Sequence, residues 1–157
     1  MIDQHRALSA YGLGWVGAHG GAGVTTLSIV LGGTDLGAAW PDPARAEPAR
    51  IMLVARTHAQ GLRAASRALN ALREGRHPAG MDLVGVVLVA DAPGRLPPPL
   101  LARIRLLRSV APVWRVPWIA PWRLGRKVSS LPKQAVGLGR IVEICEAGDR
   151  RAPQLQR

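Results

Sequence analysis

Two stretches of the chain carry residues whose types and spacing could do chemistry. The first is Gly17-Ala18-His19-Gly20-Gly21-Ala22-Gly23-Val24-Thr25-Thr26-Leu27. A glycine cluster between an apolar run and a helix-like segment leaves successive backbone N–H groups free to surround an anion. The positive end of the following helix favours a phosphate at that point. Glycine is needed because a Cβ would block close approach or forbid a positive φ. The chemistry on offer is phosphate binding by Gly20, Gly21, Ala22, Gly23, Val24, Thr25 and Thr26. The second stretch runs from Trp114 to Lys127 and interleaves Trp114, Trp118 and Trp122 with Arg115, Arg123, Arg126 and Lys127. Tryptophan faces stack on unpaired bases while cations follow phosphates. The same mixture suits a protein–protein hot spot or a membrane interface. In a chain without phenylalanine, tryptophan must also supply large core volume. A packing role for Trp114 and Trp118, with Trp122 over the sheet end and the cations solvated, therefore stands beside the binding roles.

Other candidates are weaker. His5, His19, His58 and His77 show no metal-ligand spacing, and no serine–histidine–acid set is present. Cys145 is the only cysteine, so no intrachain disulfide or cysteine metal cage can form. It falls on the apolar face of the last helix, as a buried structural thiol does. Gly12-Leu13-Gly14-Trp15-Val16-Gly17 matches a dinucleotide fingerprint, with Asp35 about twenty residues on, but Arg6 to Tyr11 makes a poor strand before it.

The elements that must position these residues alternate between strand and helix. Leu13 to Ala18 is a short apolar strand, and Val24 to Leu31 is helix-like. Gly32 to Ala49 is turn-rich, with Pro41, Pro43 and Pro48. Ile51 to Ala55 reads as a buried strand. Thr57 and Gln60 have capping-box spacing and open a helix with Leu62, Ala65, Leu69 and Leu72 on one face. Leu83 to Ala90 is a valine-rich buried strand. Pro97-Pro98-Pro99 leads into a helix with Leu100, Leu101, Ile104 and Leu107 inward and arginines outward. Val113 to Val116 is the last strand. Ser129 or Ser130 is expected to cap a final helix, with Pro132 in its first turn and Gly148 at its end. This alternation predicts a parallel α/β sheet covered on both faces. One domain is expected over residues 10–148, with flexible termini at 1–9 and 149–157.

The glycine loop resembles the variant P-loop of the MinD/ParA family, written lysine-glycine-glycine-any-glycine-lysine-threonine-threonine. Gly20, Gly21, Gly23, Thr25 and Thr26 match, whereas His19 stands at the signature lysine and Val24 at the phosphate-binding one. Ile51 to Leu72, Leu83-Val84-Gly85-Val86-Val87-Leu88 and Val116-Pro117-Trp118 follow the family's order of elements. The resemblance implies a three-layer α/β/α fold with a small, mainly parallel sheet, P-loop NTPase-like and minimised. It implies ATP or ADP with Mg²⁺ as the cofactor if one is bound, with Thr25 reaching the metal. The Walker B region is missing: Asp35 and Asp42 are the only carboxylates nearby, and neither ends an apolar strand. Valine offers no donor, so a charge-assisted hydrogen bond of roughly 1.5–3 kcal/mol is lost from the phosphate site. Backbone amides and the helix dipole remain, and an arginine from elsewhere in the chain or from a partner subunit could replace the lysine. An active NTPase, a nucleotide binder without turnover and a scaffold that has lost its nucleotide all stay open.

Length and charge bound the rest. At 157 residues, 48% of them hydrophobic and 20% charged, the chain is of single-domain size and neither disordered nor fibrous in composition. Its longest apolar run, Leu83 to Ala90, is far below the ~18 residues of a membrane span. The first residues lack the pattern of a signal peptide, so a cytoplasmic protein is expected. Lys+Arg 21 against Asp+Glu 10 gives a net charge of +11. No carboxylate falls between Asp91 and Glu143, and a basic half of this kind attracts polyanions. GC-rich coding accounts for part of the arginine excess. The composition and the Ala18-His19-Gly20-Gly21 loop are also similar to small proteins of actinobacterial mobile elements. The expected function is a non-hydrolysing, pseudo-ATPase accessory or assembly protein of a DNA-transfer, partition or secretion machine. It would dock on a protein partner, with self-association an option and weak nucleotide or phosphate binding at most. The alternative is a basic nucleic-acid-binding adaptor that uses the Arg/Trp-rich half.

Overall fold

The computed structural model describes residues 7–123 and 131–148. Five strands, β1 (Ser9–Gly17), β2 (Thr34–Asp35), β3 (Pro48–Arg56), β4 (Asp82–Val89) and β5 (Val113–Val116), alternate with helices α1 (Val24–Leu31), α2 (Ala59–Arg73), α3 (Pro98–Arg108), α4 (Ala120–Arg123) and α5 (Lys133–Glu146). The strands form one sheet in the order β2-β1-β3-β4-β5, and every pairing is parallel. Parallel neighbours need crossovers, and the helices supply them.

Alternation along β3 shows how the layers form. Met52 and Val54 pack into one cluster with Leu27 of α1 and with Leu138, Ile141, Val142 and Cys145 of α5. Ile51, Leu53 and Ala55 join Leu62 and Ala65 of α2 and Ile104 and Leu107 of α3 on the other face. All five strand residues from Ile51 to Ala55 are fully buried, as a central parallel strand requires. Burying each large aliphatic side chain contributes about 1.5–3 kcal/mol, so this strand anchors both cores. The result is a small three-layer α/β/α fold. Among the described residues, no helix is long and apolar enough to cross a membrane.

Several expectations are corrected. Ser9, expected in a flexible terminus, begins β1 and donates its N–H to the Glu47 carbonyl at 2.8 Å. Gly12 to Gly17 lie inside β1, where Gly12 takes φ 82° at a bulge, so they are not a dinucleotide turn. Helix α2 is capped by His58, whose Nδ1 accepts from the Gly61 N–H at 2.8 Å. Thr57 fails as the cap because it still belongs to the sheet edge. Its N–H donates to the Val89 carbonyl, and its hydroxyl accepts from the Asp91 N–H at 3.2 Å. Helix α5 starts after Pro132, with no side-chain cap; Ser129 and Ser130 lie outside the described residues, as do residues 1–6 and 149–157. The turn-rich stretch after α1 holds one more strand, β2, paired to β1 through Gly14–Thr34 and Trp15–Asp35.

Candidate phosphate-binding site

In this strand order the chain leaves β1 toward β2 on one side and then returns to add β3 on the other. Such a switch point opens a crevice at the carboxyl ends of the strands, where ligands of doubly wound sheets bind. The glycine loop after β1 and the segment from Arg56, the last residue of β3, to His58 both fall there.

The loop is tied down at its base. Gly17 donates to the Gly37 carbonyl at 2.7 Å and Ala18 to the Val54 carbonyl at 2.8 Å. Gly21 (φ 76°) and Gly23 (φ 109°) then take left-handed conformations that disfavour any side chain. No hydrogen bond among the described residues uses the amide N–H of Gly20, Gly21, Ala22, Gly23, Val24, Thr25 or Thr26. These amides line an open cleft of about 410 Å³ with Asp35, Gly37, Ala38 and Arg56. That volume falls within the roughly 300–1,000 Å³ of small-molecule sites.

Three side chains define the chemistry of the cleft. His19 is a strut. Its Nδ1 lies 2.8 Å from the Gly20 carbonyl, and its Nε2 accepts from the Arg56 N–H at 3.0 Å. A neutral ring with the proton on Nδ1 satisfies both bonds. Its ring centre is 5.2 Å from that of His58, yet among the described residues no group of three or more His, Cys, Asp or Glu could hold a metal ion. Arg56 brings a cation to the cleft. Its Nε donates to the Gly21 carbonyl at 3.2 Å and its Nη1 to the Ala90 carbonyl at 3.3 Å, so the guanidinium spans from the loop to the end of β4. Gly61 makes room for this junction, since a Cβ there would collide with the Arg56 carbonyl and lie 3.1 Å from His19 Nε2. Val24 packs against the α1/α5 core and contributes no charge.

The third side chain is Asp35, which ends the short, exposed strand β2 rather than an apolar strand. Asp35 closes β2, and its Oδ2 accepts from the Thr25 hydroxyl at 2.7 Å while Oδ1 accepts from the Gly37 N–H at 2.9 Å. The hydroxyl and carboxylate are hard oxygen donors of the kind Mg²⁺ takes alongside phosphate oxygens and water, so Thr25 and Asp35 fit that ion. They would hold it beside a bound phosphate.

The tryptophan stretch meets the same crevice. A cavity of about 40 Å³ has Gly23, Thr26 and Arg56 on one side and Pro117, Trp118 and Trp122 on the other. The Trp122 Nε1 is buried and has no hydrogen-bond partner among the described residues. Beyond Trp118 a wider cleft of about 740 Å³ is lined by Trp114, Arg115 and Trp118 together with Arg108 of α3. Trp114 lies flat enough on β4 that only glycine fits at Gly85, where a Cβ would run into its ring. Trp114, Arg115 and Trp118 thus share one cleft, while Trp122 belongs to the smaller cavity. Arg126 and Lys127 lie outside the described residues, as does the side chain of Arg123.

Sequence reasoning missed Arg56, Asp35 and Arg108. Arg56 ends an apolar strand and Asp35 a two-residue one, which is a signal only once their neighbours in the sheet are known. Cys145 is buried as expected, and burial pushes its thiol above the usual range, opposed by a hydrogen bond and charge from Arg50. No curated protein and no solved structure matches the chain. Residues 12–137 match a family of unknown function, DUF6668, in a span that runs from β1 through the glycine loop and the tryptophan stretch into α5. The match covers most of the 157 residues, and the chain belongs to the DUF6668 family.

Proposed function

We propose that the protein is a phosphate-binding module of the nucleotide-binding type that binds and assembles without turnover, as an accessory to a larger machine. The observation that carries this reading is the run of unbonded amides from Gly20 to Thr26 beside Arg56 and the Thr25–Asp35 pair. Amides and a guanidinium together make an anion site, and Arg56 offsets much of what Val24 withholds. A charge-assisted hydrogen bond contributes roughly 1.5–3 kcal/mol, about one to two orders of magnitude in affinity. The MinD/ParA-like loop supports ATP or ADP with Mg²⁺ as the ligand, and a cytoplasmic location accords with it.

Absence of turnover rests on chemistry. Phosphoryl transfer needs cations on the transferring group and an oriented, activated nucleophile. Both ring nitrogens of His19 are engaged, and both oxygens of Asp35 already accept hydrogen bonds. No cation sits at Val24. The test is titration with a fluorescent ATP analogue and Mg²⁺, with phosphate release followed in parallel. Saturable binding without release is expected. Release that disappears in Thr25→Ala would make the protein an NTPase. No binding of ATP, ADP or phosphate would reduce the loop to a strand-to-helix turn.

A second reading, the nucleic-acid adaptor, is favoured by one observation: Arg108, Arg115, Trp114 and Trp118 converge on one cleft with no carboxylate among the described residues that line it. That convergence arises from tertiary structure and is independent of how many arginines the coding bias supplies.

A further inference from the structure

The loop cleft and the tryptophan cleft share their walls. Arg56 lines both the loop cleft and the small cavity, and Ala90, Pro117 and Trp118 line both that cavity and the wide cleft. The three form a trough along the carboxyl ends of β1, β3, β4 and β5. With neighbouring strands about 4.8 Å apart, the trough runs about 14 Å from the loop to β5.

Its charge is distributed in a way that a mononucleotide does not need. A nucleoside di- or triphosphate carries its negative charge at one end, which the amides of Gly20 to Thr26 and Arg56 already meet. Arg108 and Arg115 stand at the opposite end, beside Trp114 and Trp118. Cations at that end find a counter-charge only if the ligand carries further phosphates beyond its first base. Alternating aromatic faces and cations are how single strands are held, by stacking and backbone pairing together. Between the two ends the buried Trp122 N–H has no partner among the described residues, and an acceptor on a ligand passing through would satisfy it.

We propose that the ligand of this site is the phosphorylated end of a single-stranded nucleic acid. The terminal phosphate lies in the glycine loop, and the following nucleotides run past Trp118 to Trp114, Arg115 and Arg108. The proposal rests on the phosphate-binding reading of the loop and assigns the class of ligand that the loop takes.

The test compares short DNA and RNA oligonucleotides of roughly eight residues, each with a 5′-phosphate, a 3′-phosphate or no terminal phosphate, and ATP with Mg²⁺, by tryptophan quenching and anisotropy. At least one phosphorylated strand should bind on the order of tenfold tighter than its unphosphorylated form and than ATP. The arm that gains identifies which end is held. In the Arg108→Glu, Arg115→Glu double variant, both positions being exposed, strand affinity should fall on the order of tenfold, more than that for ATP. The dependence of log K on log salt should flatten by about 1.4, at about 0.7 per phosphate contact. Equal binding of phosphorylated and unphosphorylated strands overturns the proposal, since the loop would then take no part. ATP binding as tightly as every strand also overturns it, but leaves the phosphate-binding reading intact. Failure of ATP and all strands to bind removes both.

Discussion

The glycine loop and the tryptophan stretch border the same crevice, yet they are built in opposite ways. The loop offers main chain: a few consecutive residues, anchored through Gly17 and Ala18, present their amides together. The tryptophan stretch offers side chains, and its Trp114, Arg115 and Trp118 share one cleft with Arg108 of α3. Main-chain recognition leaves a trace in the sequence because only glycine tolerates the φ values of Gly21 and Gly23. A cleft of side chains leaves no such trace, because only the fold shows that Arg108 of α3 and Arg115 of β5 line it together. Even the loop is incomplete by itself, since its cation comes from the end of β3 and its carboxylate from β2.

The sharpest way to separate the two regions is to disturb the glycine beneath each. Gly61→Val drives a side chain into the Arg56 carbonyl and toward His19, which should cost about 3 kcal/mol, the upper part of the overpacking range, in urea unfolding and abolish ATP-analogue binding. Gly85→Ala pushes on the Trp114 ring and should cost about 2 kcal/mol. It should alter tryptophan emission and weaken strand binding, while ATP affinity changes less. If each variant loses both ligands equally, the two regions act as one unit and the contrast between them fails.

A smaller effect isolates the loop's borrowed cation. Arg56→Gln should lower triphosphate affinity by roughly ten- to a hundredfold, the equivalent of one charge-assisted hydrogen bond. Unchanged affinity by calorimetry would take Arg56 out of the site. Val24→Lys restores a cation from within the loop and should raise triphosphate affinity on the order of tenfold. No gain would mean that the position faces the core too firmly to reach a phosphate.

The smallest expected effect is a control at the other edge of the sheet, where Cys145 meets Arg50 near the start of β3. Burial raises the thiol pKa in the folded protein, with Arg50 opposing. The unfolded thiol therefore ionises first. Its contribution to stability is fully present below about pH 8.5 and declines as pH climbs through the folded value. Urea midpoints should show this decline in the natural protein, less so in Cys145→Ala, with ligand binding in both regions unaffected by the substitution. A steeper decline in Cys145→Ala would reverse the assignment.

What the sequence determined by itself was local. Helix α1 over Val24–Leu31 and strand β5 over Val113–Val116 fall where the pattern placed them, and periodicity finds Leu62, Ala65 and Leu69 of α2 and Leu100, Ile104 and Leu107 of α3 in the core, though not Leu72 or Leu101. The glycine loop and its missing lysines were legible for the same reason, since φ requirements and charge belong to single positions. Tertiary structure alone decided the rest. β2 exists as a strand because β1 pairs with it, two residues being too few to show a period. His58 rather than Thr57 caps α2 because Thr57 is held by β4. Arg56 reaches Gly21, Asp35 reaches Thr25 and Trp122 borders the loop because a parallel sheet aligns the carboxyl ends of strands far apart in the chain. Such contacts are set by strand order, and strand order leaves no interval between residues for a sequence to display.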